Sequence, residues 1–377
     1  MRASPSGPHS ALVAVLHQAI EPPIIDGARK PAKEGGYSDS GADIACALRT
    51  AGAPVLTPVP DPDPAHDEGW TFPDTADGIA GALEAGARVL WANTVLFEGH
   101  PLEHATGVWI VGQRPADVHR FDDKWHARTF LRRAGLPFPA AMLVGHGDGP
   151  GLVADEAIDD ALLARMGFGP EAIVKPVRGR GSQGVSLARS AGDIRRAVDA
   201  LFDATTPGPA GPVPVYGNRA IVEEFLPGEE ITIAVLPPGE YRAGGDRRFE
   251  ARHWALPAIR RTGHASGIAP YSGAVPVRRN SEVLSLEEAG EPDVARVASE
   301  CERAAAMIGA RAPVRIDCRR SSAGRFMLFD VNLKPNITGP GRPGREGEES
   351  LVSLAGRAAG WSYAELLRNL LRQAWPA

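Results

Sequence analysis

The sequence predicts an α/β fold, in which an N-terminal parallel-sheet α/β domain precedes two α+β subdomains that close on each other. Strand-like and helix-like segments alternate over about the first 115 residues, a pattern typical of a parallel sheet with helices packed on it. Two β-favouring runs flank a glycine-rich loop at 171–190, and two more face each other as a hairpin at 314–332. A chain of 377 residues that is 43% hydrophobic is long enough for two or three such domains.

Composition and charge exclude several classes of protein. The net charge of −5 gives no overall attraction to nucleic acid or to an anionic membrane surface, and no apolar run has the length of a membrane span. Cys46, Cys301 and Cys318 are far apart and lack the spacing of a zinc site or a disulfide framework. We therefore expect a cytoplasmic protein that acts on small molecules.

Lysine is rare in this chain. Only five of the 41 basic residues are lysines, namely Lys30, Lys33, Lys124, Lys175 and Lys334. A lysine in so arginine-rich a chain can mark a position that needs a compact ammonium group, as in phosphate coordination. The alternative is that five scattered lysines reflect chance alone.

The first domain is predicted to span residues 1–118. Its strands are predicted at 11–16, 54–59, 89–92 and 108–111, and its helices at 42–51 and 76–85. The polar segment 27–41 is either a surface loop or a substrate-facing loop at the carboxyl edge of the sheet. Asp39 and Ser40 stand just ahead of the first predicted helix, so they are candidates for its N-cap and, in the second interpretation, for substrate binding.

A helix that contains Trp125, Phe130 and Leu131 opens a second domain, which is predicted to span residues 119–217. Lys124 lies at the N-terminus of this helix, where a positive charge opposes the helix dipole. It is therefore either a solvated surface lysine or the partner of a specific anion.

A glycine-rich loop forms the centre of the second domain. Gly179, Gly181 and Gly184 match the G-x-G-x-x-G pattern of a dinucleotide site, but strand propensity rather than a helix follows the loop. The arrangement predicts either a plain hairpin with a solvated tip or a lid over a triphosphate. In the lid, Ser182 and backbone N–H groups would approach phosphate oxygens, and Lys175 would add a fixed positive charge.

The third domain is predicted to span residues 218–377. It begins with two strands, at 219–225 and 231–236, that a turn at Pro227 and Gly228 joins as a hairpin. Glu223 and Glu224 lie next to the domain boundary. They form either the polar face of this hairpin or a set of acceptors for ribose hydroxyls and an adenine amino group.

The hairpin formed by VRIDCR and FMLFDVN contains the polar residues that indicate a chemical role most specifically. Because side chains alternate along a strand, Arg315, Asp317 and Arg319 share one face. Asp330 and Asn332 share one face of the partner strand. If the two faces coincide, two carboxylates and an amide oxygen converge among apolar residues, where their burial is costly without a cation. Such ligands suit Mg²⁺ that carries nucleotide phosphates, with Mn²⁺ as an alternative. The alternative is that these polar side chains form the solvent-exposed face of a hairpin at the edge of a sheet.

In this order, the motifs resemble those of the ATP-grasp ligases, and among them the D-alanine–D-alanine ligase type. The resemblance runs from about residue 121 to the C-terminus and rests on six segments: DDKWHARTFLRRAGLPFP, IVKPVRGRGSQGVS, IVEEFLPGEEITIAVL, RIDCR, FDVNLKPNIT and SLVSLAGRAAGWSYAELLRNLL. It implies a ligase that uses ATP to join a carboxylate to an amine through an acyl phosphate. It also implies that the two α+β subdomains clamp ATP between them.

The resemblance further implies roles for individual residues. Lys124 and Lys175 are similar to the family's phosphate-binding lysines, and Ser182 lies in its lid. The implied adenine and ribose contacts are Glu223, Glu224, Leu226 and Glu230, and the implied magnesium ligands are Asp317, Asp330 and Asn332, although many family members have Glu at the position of Asp330. Arg315 is placed to hold the acyl-phosphate or tetrahedral oxygens, so we expect Arg315, Lys175 and Ser182 to act in catalysis.

Two departures from the family pattern predict a substrate other than D-alanine. After Asn332, the segment LKPNITGPGRPGREGEESL replaces a shorter loop that ends in serine. Its Arg342 and Arg345 either bind an anionic second substrate or pair with nearby glutamates (Glu346, Glu348 and Glu349) at the surface. The lid segment 252–273 has His264 and Tyr271 in place of the lysine–tyrosine pair usual in the family.

We therefore predict a carboxylate–amine ligase that acts on an amino acid or a similar small acid in specialised metabolism. Its partners are small-molecule acids and amines, without nucleic acid or membrane, and a homodimer is one allowed assembly. The enzymatic alternative is an ATP-grasp kinase that stops at phosphoryl transfer. The non-enzymatic alternative is a nucleotide-binding protein built on the same fold.

Overall fold

The computed structural model describes residues 7–29, 34–145, 152–154, 157–207, 211–264, 267–268 and 277–377. Within these ranges, no helix combines the length and the apolar character that crossing a bilayer would require.

The N-terminal part is built on a mostly parallel sheet. Its strands are β1 (Val13–His17), β2 (Val55–Leu56), β3 (Phe72–Pro73), β4 (Val89–Asn93) and β5 (Trp109–Val111), and its helices are α1 (Ser38–Thr50), α2 (Ala76–Glu84) and α3 (Pro115–Phe121). Strand β1 pairs in parallel with β2, β3 and β4, and β4 pairs in parallel with β5. The predicted parallel α/β sheet is therefore confirmed.

Helix α1 begins at Ser38, earlier than the sequence predicted. Its N-cap is Tyr37, which has a left-handed backbone conformation (φ 68°), so Asp39 and Ser40 lie in the first turn and not at the cap. The apolar periodicity that set the predicted start begins only at residue 42. A carboxylate in the first turn is favourable next to the positive end of the helix dipole, which allows the polar residues to be helical.

The central part carries the glycine-rich loop on a mostly antiparallel sheet of its own, in which only β6 and β7 pair in parallel among the described strands. Its elements are α4 (Lys124–Arg133), β6 (Ala141–Gly145), β7 (Leu152–Val153), α5 (Asp160–Arg165), β8 (Ala172–Pro176), β9 (Ser186–Ala188), α6 (Ala191–Asp203), β10 (Thr205–Thr206), β11 (Val213–Pro214) and β12 (Arg219–Glu224). The main sheet has the order β7-β6-β12-β8-β9. Strands β8 and β9 pair antiparallel on either side of the glycine loop, as predicted.

The C-terminal part contains a second antiparallel sheet with the order β18-β17-β13-β19-β20. Its elements are β13 (Glu230–Leu236), β14 (Gly239–Ala243), β15 (Asp246–Glu250), β16 (Trp254–Ala255), β17 (Ile259–Arg261), β18 (Ser281–Val283), α7 (Leu286–Ala289), α8 (Pro292–Met307), β19 (Val314–Arg320), β20 (Phe326–Asn332), α9 (Leu351–Ala358), α10 (Tyr363–Arg372) and β21 (Trp375–Pro376). Strand β21 returns to the N-terminal sheet and pairs antiparallel with β5.

The predicted hairpin of residues 219–225 and 231–236 is wrong. Strand β12 pairs with β6 and β8, whereas β13 pairs with β17 and β19 in the other sheet. Each strand is largely buried and is paired along both edges in its own sheet, since β13 also pairs with β16, so neither has an edge left for the other. The segment between β12 and β13 links the two sheets. This strand pairing favours a boundary between the central and C-terminal parts after Glu224 over the predicted one at 217/218.

The N-terminal and C-terminal parts share hydrophobic cores. On one face of the first sheet, Leu16 and Leu90 belong to the same cluster as Ile316 and Leu328. On the other face, residues of α1 pack with residues of α9 and α10. The central part has a separate core that includes Val144, Val174 and Val198, which is the arrangement expected of a lid that packs independently of the body.

Candidate active site

A cavity lies between the central sheet and the C-terminal sheet. It is where most of the residues that the sequence singled out come together. Of those residues, the cavity is lined by Lys124, Lys175, Ser182, Glu223, Glu224, Leu226 and Asp330. The glycine loop forms one wall, and Ser182 has a left-handed backbone conformation there (φ 58°).

Lys175 lies near the end of β8 and points into this cavity. Its ammonium group donates to Glu223 Oε1 on the neighbouring strand β12 at 2.5 Å, and to the backbone oxygen of Phe329 on β20 at 3.0 Å. Both charged side chains are almost fully buried. The lysine therefore links the lid sheet to the body at the inner end of the cavity.

Helix α4 is capped by Asp123, whose side chain accepts a hydrogen bond from the backbone N–H of His126 at 2.7 Å. Lys124 follows Asp123 as the first residue of the helix. Its ammonium group contacts the carboxylate of Asp330. Burial alone would raise the pKa of Asp330, but the nearby charges of Lys124 and Lys175 outweigh burial and lower this pKa to about 2. Asp330 is therefore an anion held between two lysines.

The hairpin of β19 and β20 brings the predicted metal-binding side chains together. Asp317 lies directly across from Asp330, and Arg315 lies across from Asn332, so the two polar faces coincide. Asp317 accepts from Arg315 Nε at 3.1 Å and from Arg315 Nη2 at 2.9 Å, and also from Thr232 Oγ1 at 2.7 Å. Only 8% of Asp317 is exposed, so the interpretation as a solvated face does not hold for this residue.

The donor set of this hairpin fits a magnesium ion that also binds phosphate. Two carboxylates and the amide oxygen of Asn332 are hard oxygen donors, as Mg²⁺ prefers. In the structure, Arg315 and Lys124 balance the charges of the two carboxylates. Among the described residues, no group of three or more His, Cys, Asp and Glu side chains could hold a metal ion, so the remaining ligands would have to come from phosphate oxygens and water.

Glu230 does not line the cavity but is buried beside Arg319, which does. His264 Nε2 is 2.8 Å from Glu230 Oε2, and Arg319 Nη1 is 4.0 Å from the same oxygen. Arg319 lines the cavity and also donates to the backbone oxygen of Gly267 at 2.6 Å. His264 is thus next to the predicted ribose-side acid, while Tyr271 lies outside the described residues.

Sequence reasoning assigned no role to Arg319, although it lines the cavity. The signal was present, because Arg319 follows Asp317 by two residues on the same strand face. The guanidinium group also lies over the ring of Phe225, 5.1 Å from its centroid. Arg319 therefore joins the candidate nucleotide-binding residues on the adenine side of the cavity.

Arg342 and Arg345 contact a partner that the sequence did not indicate. Arg342 Nε lies 2.9 Å from Asp43 Oδ1, and Arg345 Nε lies 2.8 Å from the same atom. Burial raises the pKa of the Asp43 carboxyl, which the two guanidinium groups lower in part. A Cβ at Gly341 would stand 2.2 Å from the backbone oxygen of Asp43, so only glycine allows this close approach. The two arginines fix the inserted loop to α1.

The predicted substrate residues Asp39 and Ser40 lie beside this junction. The carboxylate of Asp39 is 3.9 Å from Arg345 Nη2. Ser40 is fully buried, donates to the backbone oxygen of Tyr37 at 3.1 Å and accepts from Asn93 Nδ2 at 3.0 Å. The hydroxyl of Ser40 therefore orients Asn93 at the carboxyl edge of the first sheet.

Comparison with known sequences points to one group of enzymes. The chain is 30% identical over 255 residues to a D-alanine–D-alanine ligase from Halorhodospira halophila, and the match covers 67% of this chain and 66% of the relative. It is 26% identical to D-alanine–D-alanine ligase B from Chromobacterium violaceum, with 66% of each chain covered. The matches thus span slightly less than two thirds of the relatives' length. No protein-family model matches this chain.

Solved structures share the fold over almost the whole chain. A D-alanine–D-alanine ligase from Bacillus anthracis, crystallised with ATP, superimposes with a TM-score of 0.62 and 16% identity, covering 95% of both chains. A D-alanine–D-alanine ligase from Coxiella burnetii gives the same TM-score with 15% identity, covering 97% of this chain and 95% of the other. At this identity the likeness concerns the fold alone.

Proposed function

We propose that this chain, which is similar to the D-alanine–D-alanine type of ATP-grasp ligase, is an ATP-dependent carboxylate–amine ligase that acts through an acyl phosphate. The proposal rests on one observation, which is that cationic and anionic side chains stand next to one another in and beside the cavity between the central and C-terminal sheets. Lys124 and Lys175 stand beside Asp330, and Asp330 stands beside Asp317 and Arg315. Fixed cations and fixed oxygen donors at one place suit a triphosphate with its metal ion.

The chain's own residues hold the reacting groups. Lys175 and Lys124 neutralise phosphate oxygens, and the glycine loop with Ser182 covers them. Arg315 lies across from Asn332 and beside Asp317, where its guanidinium group stabilises negative charge on the transferred phosphoryl group and on the tetrahedral oxygen. When bound by Asp317, Asp330 and Asn332, Mg²⁺ supplies charge neutralisation to the phosphates.

The reaction proceeds in two steps. A carboxylate oxygen of the acid attacks the γ-phosphorus, the bond to the β-phosphate oxygen breaks, and ADP leaves. The amine nitrogen then attacks the acyl carbon, phosphate leaves, and the nitrogen loses a proton. Closure of the glycine loop protects the acyl phosphate from water. Holding the carboxylate beside the γ-phosphate lowers the activation free energy by up to about 7–11 kcal/mol.

The substrate pair is proposed to differ from two molecules of D-alanine. The loop after Asn332 is longer than in the family, and Asp43 fixes its arginines against α1. We infer a small acid or amino acid of specialised metabolism as the carboxylate substrate. In this proposal Arg342 and Arg345 fix the inserted loop to α1 through Asp43 and do not themselves contact the acid.

A pooled screen tests the proposed function. The wild-type enzyme, ATP and Mg²⁺ are incubated with pools of amino acids, small carboxylic acids and small amines, and ADP, phosphate and new amides are measured by mass spectrometry. We expect ADP and phosphate in equal amounts with one amide, dependent on both an acid and an amine. A stable phosphorylated acid as the sole product would support the kinase alternative, and tight ATP binding without turnover in any pool would support a non-catalytic protein.

A further inference from the structure

Residues 18–28, which follow strand β1, form an arm that ends in a tight turn. Ile25 and Ala28 pair as an antiparallel bridge, with backbone N···O distances of 2.8 and 3.0 Å. Asp26 and Gly27 lie between them with positive φ angles of 52° and 77°. Positive φ at both central residues is typical of a type I′ turn, for which Asp-Gly is a favoured sequence. The arm therefore presents Asp26 at a defined tip.

The base of the arm is fixed by a buried carboxylate. Asp74 Oδ1 accepts from the backbone N–H groups of Ala19 at 2.8 Å and of Ile20 at 3.0 Å. Its other oxygen accepts from Thr94 Oγ1 and lies 3.1 Å from His100 Nε2. Asp74 and both of these partners are fully buried. Two consecutive prolines then restrict the backbone between the base and the tip, so the arm is anchored in the N-terminal part.

The tip of the arm contacts the central part. The carboxylate of Asp26 forms an ion pair with Arg219, the first residue of β12. The backbones also approach closely, because a Cβ at Gly217 would stand 2.8 Å from the backbone oxygen of Asp26 and 3.2 Å from Ala28 Cβ. Gly217 has a positive φ of 75°, which favours glycine at this position. Two segments 193 positions apart therefore join the N-terminal part to the sheet that carries the glycine loop.

This contact lies beside the proposed phosphate-binding segments. Arg219 Nη2 is 3.8 Å from Oδ2 of Asp123, the N-cap of α4, and Arg178 Nη2 is 3.8 Å from the same oxygen. Lys124 follows Asp123, and Arg178 follows Lys175 by three residues at the start of the glycine loop. Arg219 therefore connects the tip of the arm to a carboxylate next to both lysine-bearing segments.

We propose that Asp26 is a positioning residue that, through Arg219, holds the central part closed over the bound nucleotide and the acyl phosphate. This inference rests on the proposed ligase function and deepens it, because it assigns closure of the site to a contact outside the nucleotide cavity. The side chain of Asp26 is 47% exposed and that of Arg219 is 29% exposed. An ion pair at the surface contributes little to folding, so its loss changes the balance between the closed and open forms and leaves the fold intact.

Nucleotide release tests this contact without requiring turnover. A fluorescent, non-hydrolysable ATP analogue is bound to the full chain with Mg²⁺, and its dissociation rate is measured by stopped-flow after addition of excess unlabelled analogue. We compare wild type with Asp26→Asn, Arg219→Gln and the double variant. Asparagine keeps the turn, because Asn-Gly is also a favoured type I′ sequence. Glu21→Gln is the matched control, since it removes an exposed carboxylate of the same arm whose partner, Arg29, also belongs to the N-terminal part.

We expect Asp26→Asn and Arg219→Gln each to release the analogue about two- to fivefold faster than wild type, the range for loss of one exposed ion pair. The double variant should release it no faster than Arg219→Gln, because the pair is already broken there. Glu21→Gln should match wild type, and all variants should melt within about 2 °C of it. With the substrates found by the pooled screen, Asp26→Asn should also release about two- to fivefold more phosphate in excess of amide, which a merely structural residue would not change.

Release of the analogue from Asp26→Asn at the wild-type rate would overturn the proposal. Multiplied effects in the double variant would also overturn it, because the two side chains would then act independently, as would an unchanged excess of phosphate in an active Asp26→Asn enzyme. Faster release from Asp26→Asn in a protein that makes no amide in the pooled screen would support the contact and count against the ligase function. The two proposals can thus fail separately.

Discussion

Asp317→Asn should lower kcat by about 10²- to 10³-fold, the loss expected when one fixed charge that stabilises a transition state is removed. The substitution keeps the size of the side chain and one oxygen for the hydroxyl of Thr232. It removes a negative charge from the proposed metal site and one acceptor from the guanidinium group of Arg315. Steady-state kinetics with the substrate pair found by the pooled screen measure the effect.

The same variant should also lose stability, because a hydrogen bond to a charged group contributes about 1.5–3 kcal/mol. Urea denaturation and circular dichroism show whether the fold survives. Asp293→Asn is the matched control, since its carboxylate forms surface ion pairs with Arg296 and Arg320 and should leave kcat unchanged. A folded Asp317→Asn enzyme with wild-type kcat would exclude Asp317 from the metal site.

Loss of the Lys175 ammonium group should weaken ATP binding about 10- to 150-fold, which corresponds to one charged contact of about 1.5–3 kcal/mol. Lys175→Met alone would leave the carboxylate of Glu223 buried without its cation. Removing one partner of such a pair costs about 3–5 kcal/mol of stability. The informative protein is therefore the double variant Lys175→Met/Glu223→Gln, in which both charges are removed.

Calorimetry with a non-hydrolysable ATP analogue and Mg²⁺ compares this double variant with Glu223→Gln alone. The single variant keeps the lysine and controls for any direct contact of Glu223 with the nucleotide. We expect the double variant to melt near the wild-type temperature and to bind the analogue much more weakly than Glu223→Gln. Equal affinities in the two variants would mean that Lys175 does not contact phosphate.

Local patterns in the sequence account for the elements that were predicted correctly. The parallel sheet follows from alternating apolar runs, and the strand after the glycine loop follows from the strand propensity of Leu187 and its neighbours. The coincidence of Asp317 with Asp330 follows from strand alternation across a short turn. In each case the residues that decide the structure are close together in the chain.

The parts that could not be predicted depend on distant partners. Strands β12 and β13 look like a hairpin because a turn sequence joins them, but each is paired in a different sheet by strands elsewhere in the chain. Asp43 and Arg342 are 299 positions apart, and no periodicity links the two. The start of α1 was also missed, because polar first-turn residues do not show the apolar period of a helix.

Oxygen tracing tests the acyl-phosphate mechanism most directly. The acid identified by the pooled screen is synthesised with ¹⁸O in both carboxylate positions and converted to amide by the wild-type enzyme with unlabelled ATP. Because a carboxylate oxygen attacks the γ-phosphorus and stays with it when the amine displaces phosphate, we expect one ¹⁸O atom in each inorganic phosphate released, by mass spectrometry. Label in AMP, with pyrophosphate as co-product, or unlabelled phosphate would contradict an acyl phosphate formed from the γ-phosphate.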